Sequence, residues 1–391
     1  MQENSESFNK HRKAIEGKLG AKITSFERIG GLTNLNYKIE VQNEEDQGNA
    51  DNNKKTLVVK ILSSGLDFFV DRDLERKAIR ILHHNGLFPD LEYVNDARDG
   101  YIIQEYVKHT KMDKASFFSE ANKELSGRVA KSIYLTLKTL NTTRRPSEET
   151  GEGAEKVLSL LEDQPNSDTK LTNFLKKFKT QKEKVLDHLR GKIPAEEHSY
   201  YQKVLNQISQ KIPPILEKLK EFKQFEALCH NDICFGNILL TQTEPGASSK
   251  LSNDILIIDL EYAGRNPIFF ELGNFLHGTN CRWLNQFTML DQAHVSEDDP
   301  DLGSGLNLEG KKRFLLEFKR LVDQDGSFGF QLPEDELFVR TCHGFQALAH
   351  MYWIFLAIAT CGVEGIDFDC VRYVQQKLGS FEFFLKIFLD I

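Results

Sequence analysis

Alternation of apolar and polar residues dominates the first third of the chain. Residues 23–29 (ITSFERI) and Asn36 to Val41 alternate, and Thr56 to Leu62 (TLVVKIL) reads as the next strand. A period of two predicts strands with one buried face. The polar, Asn- and Asp-rich stretch at 42–55 reads as a solvent loop between antiparallel strands. Tyr93-Val94, and Tyr101 to Val107 after the Asp99-Gly100 turn, complete a sheet. Two segments switch to a helical period. Residues 6–20 predict a short amphipathic helix, and Asp71 to Leu82 (DRDLERKAIRIL) puts Leu74, Ala78, Ile79 and Leu82 on one face.

After Val107 the pattern is mostly helical. Leu125 to Leu140, Lys170 to Leu189 and Tyr200 to Phe222 predict three helices, and 311–391 is helical and rich in aromatics. Short strands are expected over 228–240 and 253–260, joined by a polar loop at 241–253. The loop 144–154 and the acidic stretch 291–310 read as exposed. The expectation is an α+β chain of two lobes: a small antiparallel-sheet lobe over 1–107 and a large, mostly helical lobe over 108–391. A length of 391 residues fits two units better than one core.

Composition narrows the class. The net charge of −8 argues against a nucleic-acid partner, which clustered Lys and Arg would bind. The longest strongly apolar run, Met351 to Cys361, is too short to span a bilayer and reads as a buried helix. The polar start MQENSESFNKHRK lacks the apolar core of a signal peptide, so a cytoplasmic protein without an integral membrane segment is expected. The six cysteines show no CxxC spacing and read as reduced thiols.

The chemistry concentrates in His230-Asn231-Asp232-Ile233-Cys234-Phe235-Gly236-Asn237 and the later Ile257-Ile258-Asp259. Phosphoryl transfer from a nucleoside triphosphate needs a carboxylate to take the proton of the attacking hydroxyl. It also needs an amide and a second acid to hold magnesium against the phosphates. Asp232 suits the first task, and Asn237 and Asp259 the second; the string H-x-D-x-x-x-x-N followed by a strand-end Asp matches kinase-like folds. A bland assignment makes Asn237 a turn residue, Asp259 a strand cap and His230 a core histidine. His230 suits a hydrogen-bonded support of the loop better than a direct role. Glu261 is either an acid beside the metal or a member of a structural ion pair.

Other positions fit a nucleotide. Gly30, Gly31, Leu32, Thr33 and Asn34 lie between two strands, where glycine lets backbone N–H groups approach phosphate, or simply make a hairpin turn. Lys60 sits in an apolar strand and needs a reason to be there: contact with phosphates, with Glu75 of the next helix as its partner. Its alternative is an edge strand facing solvent. Asp71 and Asp73 suit the start of that helix. Gln104, Glu105 and Val107 fall at the junction of the lobes. Trp283, Trp353, Phe355 and Tyr373 are either helix core or part of a cage for a cation.

Taken together these strings resemble the choline/ethanolamine kinase family, relatives of aminoglycoside phosphotransferases with a protein-kinase-like fold. GGLTN (30–34), VVK (58–60), VDRDLE (70–75), HNDICFGNILL (230–240), IDLEYAGRNPIFFELGNFL (258–276), FQALAHMYWIFLA (345–357) and DFDCVRYVQQKL (367–378) carry the resemblance, in the family's order. It implies ATP and Mg²⁺ as cofactors, Asp232 as base, Asn237 and Asp259 as metal ligands, and Lys60 as a phosphate contact. It places Glu105 and Val107 at a nucleotide hinge, and Trp353, Tyr373 and Trp283 around the amino-alcohol. The implied reaction is phosphorylation of choline or ethanolamine, the first step of a CDP-alcohol route to phospholipids; a homodimer is left open. Two positions depart from the family: Gly278 stands where it has a Glu, and Leu356 where it has a second Trp. They leave open which amine is used, and keep two rivals in play: a kinase of another alcohol, such as an aminoglycoside or sugar, and a catalytically weak nucleotide-binding regulator.

Overall fold

The computed structural model of the protein describes residues 2–30, 34–43, 54–62, 70–95, 97, 100–113, 116–142, 168–241, 254–279, 281–284, 288–291, 307–361 and 369–391. The side chains of 2–7, 30, 43, 279, 281–284 and 288–291 fall outside that description. The predicted turn residues Gly31, Leu32 and Thr33, the loop at 144–154, and most of the stretches at 42–55, 241–253 and 291–310 therefore lie outside the described residues.

The chain groups into two units, Met1–Thr110 with Leu239–Leu256, and Lys111–Ile238 with Ile257–Ile391. The sequence pattern divides it at 107/108, without the return of 239–256 to the first unit. That return has a local cause in strand pairing, given below.

The first unit runs α1 (Gln2–Leu19), β1 (Ala21–Gly30), β2 (Leu35–Asn43), β3 (Lys54–Ile61), α2 (Arg72–His84), β4 (Leu91–Val94), β5 (Tyr101–Glu105) and β6 (His109–Thr110). Five strands form one sheet in the order β1-β2-β3-β5-β4, with antiparallel neighbours. Alternation decides which face is buried. Tyr37, Ile39, Val41, Leu57, Val59, Ile61 and Ile103 share a core with Phe8 and Ile15 of α1. Lys60 is out of phase with that set and faces the other side. Asp71 caps α2, its carboxylate accepting from the Asp73 and Leu74 N–H groups, and Asp73 and Glu75 occupy the first turn, where the helix dipole favours acids.

The second unit begins with α3 (Lys123–Asn141), α4 (Lys170–Leu189), α5 (Ala195–Leu219) and β7 (Glu226–Cys229). The chain then makes β8 (Ile238–Thr241), β9 (Ile255–Ile257) and β10 (Gly264–Pro267). β8 lies between β6 and β9 in a small sheet, with Thr110 opposite Leu240, which is why 239–256 groups with the first unit. Next come α6 (Ile268–Thr279), the paired strands β11 (Cys281–Leu284) and β12 (Thr288–Asp291), α7 (Leu308–Asp325), α8 (Asp335–Thr360) and α9 (Cys370–Leu389).

The hydropathy pattern misses α6. Residues 268–278 are buried throughout, so no polar face marks a helical period. Its close approach to α8 needs Gly273, where a Cβ would come within 2.8 Å of the Phe345 backbone. Phe355 belongs to the core rather than to a cage: it is fully buried, with ring centroids 5.2 Å from Phe174 and 5.1 Å from Phe178. Met351 to Thr360 is the largely buried end of α8, and Cys361 follows as its cap. Cys229, Cys342, Cys361 and Cys370 are buried and Cys234 is half-buried, all as thiols rather than disulfides. Among the described residues no helix is long and apolar enough to cross a membrane.

Candidate active site

β7 pairs with β10, Cys229 opposite Gly264, so the chain leaves β7 into a loop beside residues 259–263. Two hydrogen bonds stitch these segments together and a third holds the loop itself. The His230 imidazole Nε2 donates to the Ile258 carbonyl at 2.9 Å, and its Nδ1 accepts from the Asp232 N–H at 3.2 Å. The Ile258 N–H donates to the Asn237 carbonyl at 2.9 Å. Both ring nitrogens of His230 are thus occupied by backbone, in the supporting role the spacing suggests.

Asn237 Nδ2 donates to both the backbone carbonyl and Oδ2 of Asp232, each at 2.9 Å. The amide is thereby oriented, and its Oδ1 is the atom left to face a cation. Asp232 is half-buried. Burial raises its carboxyl well above the usual range, and the charges of Asp259 and Glu261 push it further, against the Asn237 hydrogen bond. Asp232, Asn237, Asp259 and Glu261 are therefore brought together. Among the described residues the only non-glycine positions at positive φ are Asn231 (65°) and Asp259 (69°). Left-handed backbone costs an ordinary residue about 1–2 kcal/mol, and it collects at functional sites.

A further set of buried polar groups supports this loop. Glu271, on the first turn of α6, accepts from the N–H groups of His230 at 2.5 Å and Asn231 at 2.9 Å. Its burial raises its pKa to about 7, although backbone N–H groups pull the other way. The Asn231 side chain donates to the Tyr262 and Gly264 carbonyls and accepts from Asn266 at 2.7 Å. Asn266 in turn accepts from the Leu171 N–H at 2.9 Å, and Lys170 donates to the Tyr262 carbonyl at 2.8 Å. The N-terminus of α4 thus braces the segment carrying Asp259 and Glu261. Only the recurrence of Asn at 231, 266 and 274 near the charged motif could have signalled this network.

Glu261 is 2% exposed and lies among aromatics. Burial raises the phenols of Tyr262 and Tyr352 well above their usual range, and the Glu261 charge adds to both. Trp353 is half-buried, its ring centroid 5.7 Å from those of Tyr262 and Tyr352. Its indole N–H donates to Asn274 at 2.6 Å, and Asn274 Nδ2 donates to the Asn231 carbonyl at 3.3 Å. The sequence pattern overlooks Tyr262 and Tyr352, since aromatics at helical spacing look like core. Tyr373 is buried on α9 with the Lys377 ammonium 5.5 Å from its ring centroid. The Trp283 side chain lies outside the described residues. Gly278 faces Cys234: a Cβ there would meet the Cys234 Cβ at 3.7 Å.

The sheet unit holds the remaining candidates. Lys60 lies on a central strand, 8% exposed, and its Nζ donates to Glu75 Oε1 at 2.7 Å. Arg72, absent from the candidates drawn from sequence, donates to Glu75 Oε2 at 2.8 Å and to Asn34 Oδ1 at 2.8 Å. Gly30 ends β1, and Asn34 is buried. Gln104 and Glu105 end β5, where burial raises the Glu105 carboxyl above its ordinary range. The Val107 carbonyl meets the His109 ring at 2.9 Å.

The donor set at Asn237 and Asp259 fits a hard, oxygen-seeking cation. Magnesium takes one or two protein oxygens and completes its shell with water and phosphate.

Known proteins are similar to this chain in sequence and fold. A Probable choline kinase 1 of Arabidopsis thaliana is 25% identical over 354 residues, spanning 90% of this chain and 84% of its own. An ethanolamine kinase of Plasmodium vivax superposes with a TM-score of 0.58 at 18% identity, over 91% of this chain and 81% of that one. LicA in complex with AMP superposes at 0.55 and 16% identity, over 95% and 98%. The profile of the choline/ethanolamine kinase family matches residues 26–382, and the chain belongs to that family, with its antiparallel-sheet and helical units of the protein-kinase-like fold.

Proposed function

We propose that the protein transfers the terminal phosphoryl group of ATP to the hydroxyl of choline or ethanolamine. The observation that carries this reading is the Asp232 carboxylate, fixed by the Asn237 amide and crowded by Asp259 and Glu261. Asp232 accepts the hydroxyl proton as the substrate oxygen bonds to phosphorus and the bond to the leaving ADP oxygen breaks. Charge crowding raises the affinity of Asp232 for that proton. Asn237 Oδ1 and the Asp259 carboxylate would hold Mg²⁺, which supplies neutralising charge to the phosphates and to the acid cluster.

The substrate's ammonium group finds a buried acid and ring faces in Glu261, Tyr262, Tyr352 and Trp353. A cation over such a face gains about 0.5–2 kcal/mol. Lys60 contacts the phosphates, with Glu75 aiming it; Gly30 to Asn34 line the same phosphates, and Glu105 and Val107 meet the adenine edge. Binding of AMP by LicA supports a nucleotide site in this fold.

The test is an assay of the purified full-length protein with labelled ATP, Mg²⁺ and each amine. Phosphocholine or phosphoethanolamine is expected. Lack of either product, with turnover of another alcohol, would remove the substrate assignment.

A further inference from the structure

One turn of α6 holds the backbone of Asn231 on both sides. Glu271 accepts its N–H at 2.9 Å, and Asn274, three residues on and so on the same helix face, donates Nδ2 to its carbonyl at 3.3 Å. That carbonyl lies in the peptide plane whose N–H belongs to Asp232, and this N–H donates to His230 Nδ1 at 3.2 Å. The plane from which Asp232 projects is therefore held at both edges. Asn231 sits at φ 65°, a conformation that a non-glycine residue keeps only where its surroundings over-determine it.

The other end of the Asn274 amide reaches a different helix. Its Oδ1 accepts the indole N–H of Trp353, on α8 and 79 residues away, at 2.6 Å. Asn274 is 2% exposed. The next residue back, Gly273, packs so closely on α8 that a Cβ would come within 2.8 Å of the Phe345 backbone, which fixes α6 against the helix that carries Trp353. A continuous path thus runs from the Trp353 ring through Asn274 and the Asn231 carbonyl to Asp232. For stability alone, apolar groups of the same shape would serve nearly as well as a buried hydrogen-bonded set. They would not fix the direction of the ring and the tilt of the peptide plane together. An amino alcohol needs both, because its ammonium and its hydroxyl are a set distance apart, and a misplacement of about 1 Å can cost about 10²-fold in rate.

We propose that Asn274 is a positioning residue that sets the spacing between the Trp353 ring and the Asp232 carboxylate, and so selects alcohols whose hydroxyl lies two carbons from the ammonium. The role rests on the reading of those two groups given above and adds the residue that keeps them in register.

Steady-state kinetics of the full-length protein read this spacing, with choline against 3-hydroxypropyl-trimethylammonium and ethanolamine against 3-aminopropan-1-ol, each pair differing by one methylene. Thermal melting is the check on folding. Asn274→Leu removes both links at similar volume; Trp353→Phe keeps a ring and removes only the indole donor. Each is expected to lower kcat for the two-carbon alcohol by about fivefold or more and to leave the KM for ATP within about twofold. Each should also shrink the preference in kcat/KM for the shorter alcohol by about threefold or more, which a loss of stability would not do. Because both act through one path, the double variant should be no worse than the poorer single one. An unchanged kcat or an unchanged preference in folded Asn274→Leu would overturn the proposal. If Asn274→Leu does not fold, Trp353→Phe decides alone by the same two measures. Asp232→Asn separates this proposal from the reading beneath it: near-normal turnover there sinks both, whereas lost turnover there beside a normal Asn274→Leu sinks only the role of Asn274.

Discussion

Replacing Glu271 by glutamine tests whether the support of the His230–Asn237 loop depends on geometry or on charge. The wild-type carboxylate is fully buried, accepts from the His230 and Asn231 N–H groups, and has its pKa raised to about 7 from an ordinary 4.5. A carboxyl with a raised folded-state pKa binds more protons folded than unfolded. Folding is then opposed progressively as pH rises from 4.5 to 7, and the full penalty holds above that window. A shift of that size corresponds to about 3 kcal/mol. Glutamine cannot titrate, yet its amide oxygen can accept from the same N–H groups. The stability of Glu271→Gln minus that of wild type should therefore rise by about 3 kcal/mol between pH 4.5 and 8. The difference is the quantity to follow, because His343 opposes it. Burial and Lys311 lower that imidazole to about 4, so as pH falls from 6.5 to 4 the unfolded chain takes up the proton that the folded one refuses, with loss of stability in both proteins alike. Denaturant unfolding of the two proteins across this range provides the measurement. A difference flat to within about 1 kcal/mol would refute the buried-charge reasoning. Glu271→Ala serves as the contrast: it leaves two N–H groups without their acceptor at about 1–3 kcal/mol each, and should lower kcat by loosening the loop.

Three other outcomes are expected. Asp232→Asn should lower kcat by about 10²–10⁴-fold with melting little changed, as steady-state kinetics and calorimetry would read; near-normal turnover would remove it as the base. Trp353→Phe keeps a ring and deletes the indole donor to Asn274. A several-fold loss of kcat/KM for the amine is expected, and unchanged kinetics would exclude a role for that bond. Gly310→Ala should lower the melting temperature markedly, since the new Cβ would sit 1.9 Å from the Phe118 carbonyl oxygen; an unshifted melt would contradict that close approach of α7.

The sequence by itself carried the strand–helix order of the first unit, most helices of the second, the candidates Asp232, Asn237 and Asp259 that the fold gathers, and the Lys60–Glu75 pair. Period-two and period-3.6 patterns report one buried face, and the charged motif is local, within eight residues and one later strand end. Contacts with no local signature were decided by tertiary structure. Helix α6 shows no period because all of its faces are covered. Arg72 looks like any helix cation until Asn34 is folded against it, and Glu271 like any acid until the His230 loop lands on it. Tyr262 and Tyr352 read as core until burial beside Glu261 and Asp232 places them near charge. Periodicity encodes how much of a side chain is hidden; which partner hides it depends on residues tens to more than a hundred positions away, brought together only when the helices pack.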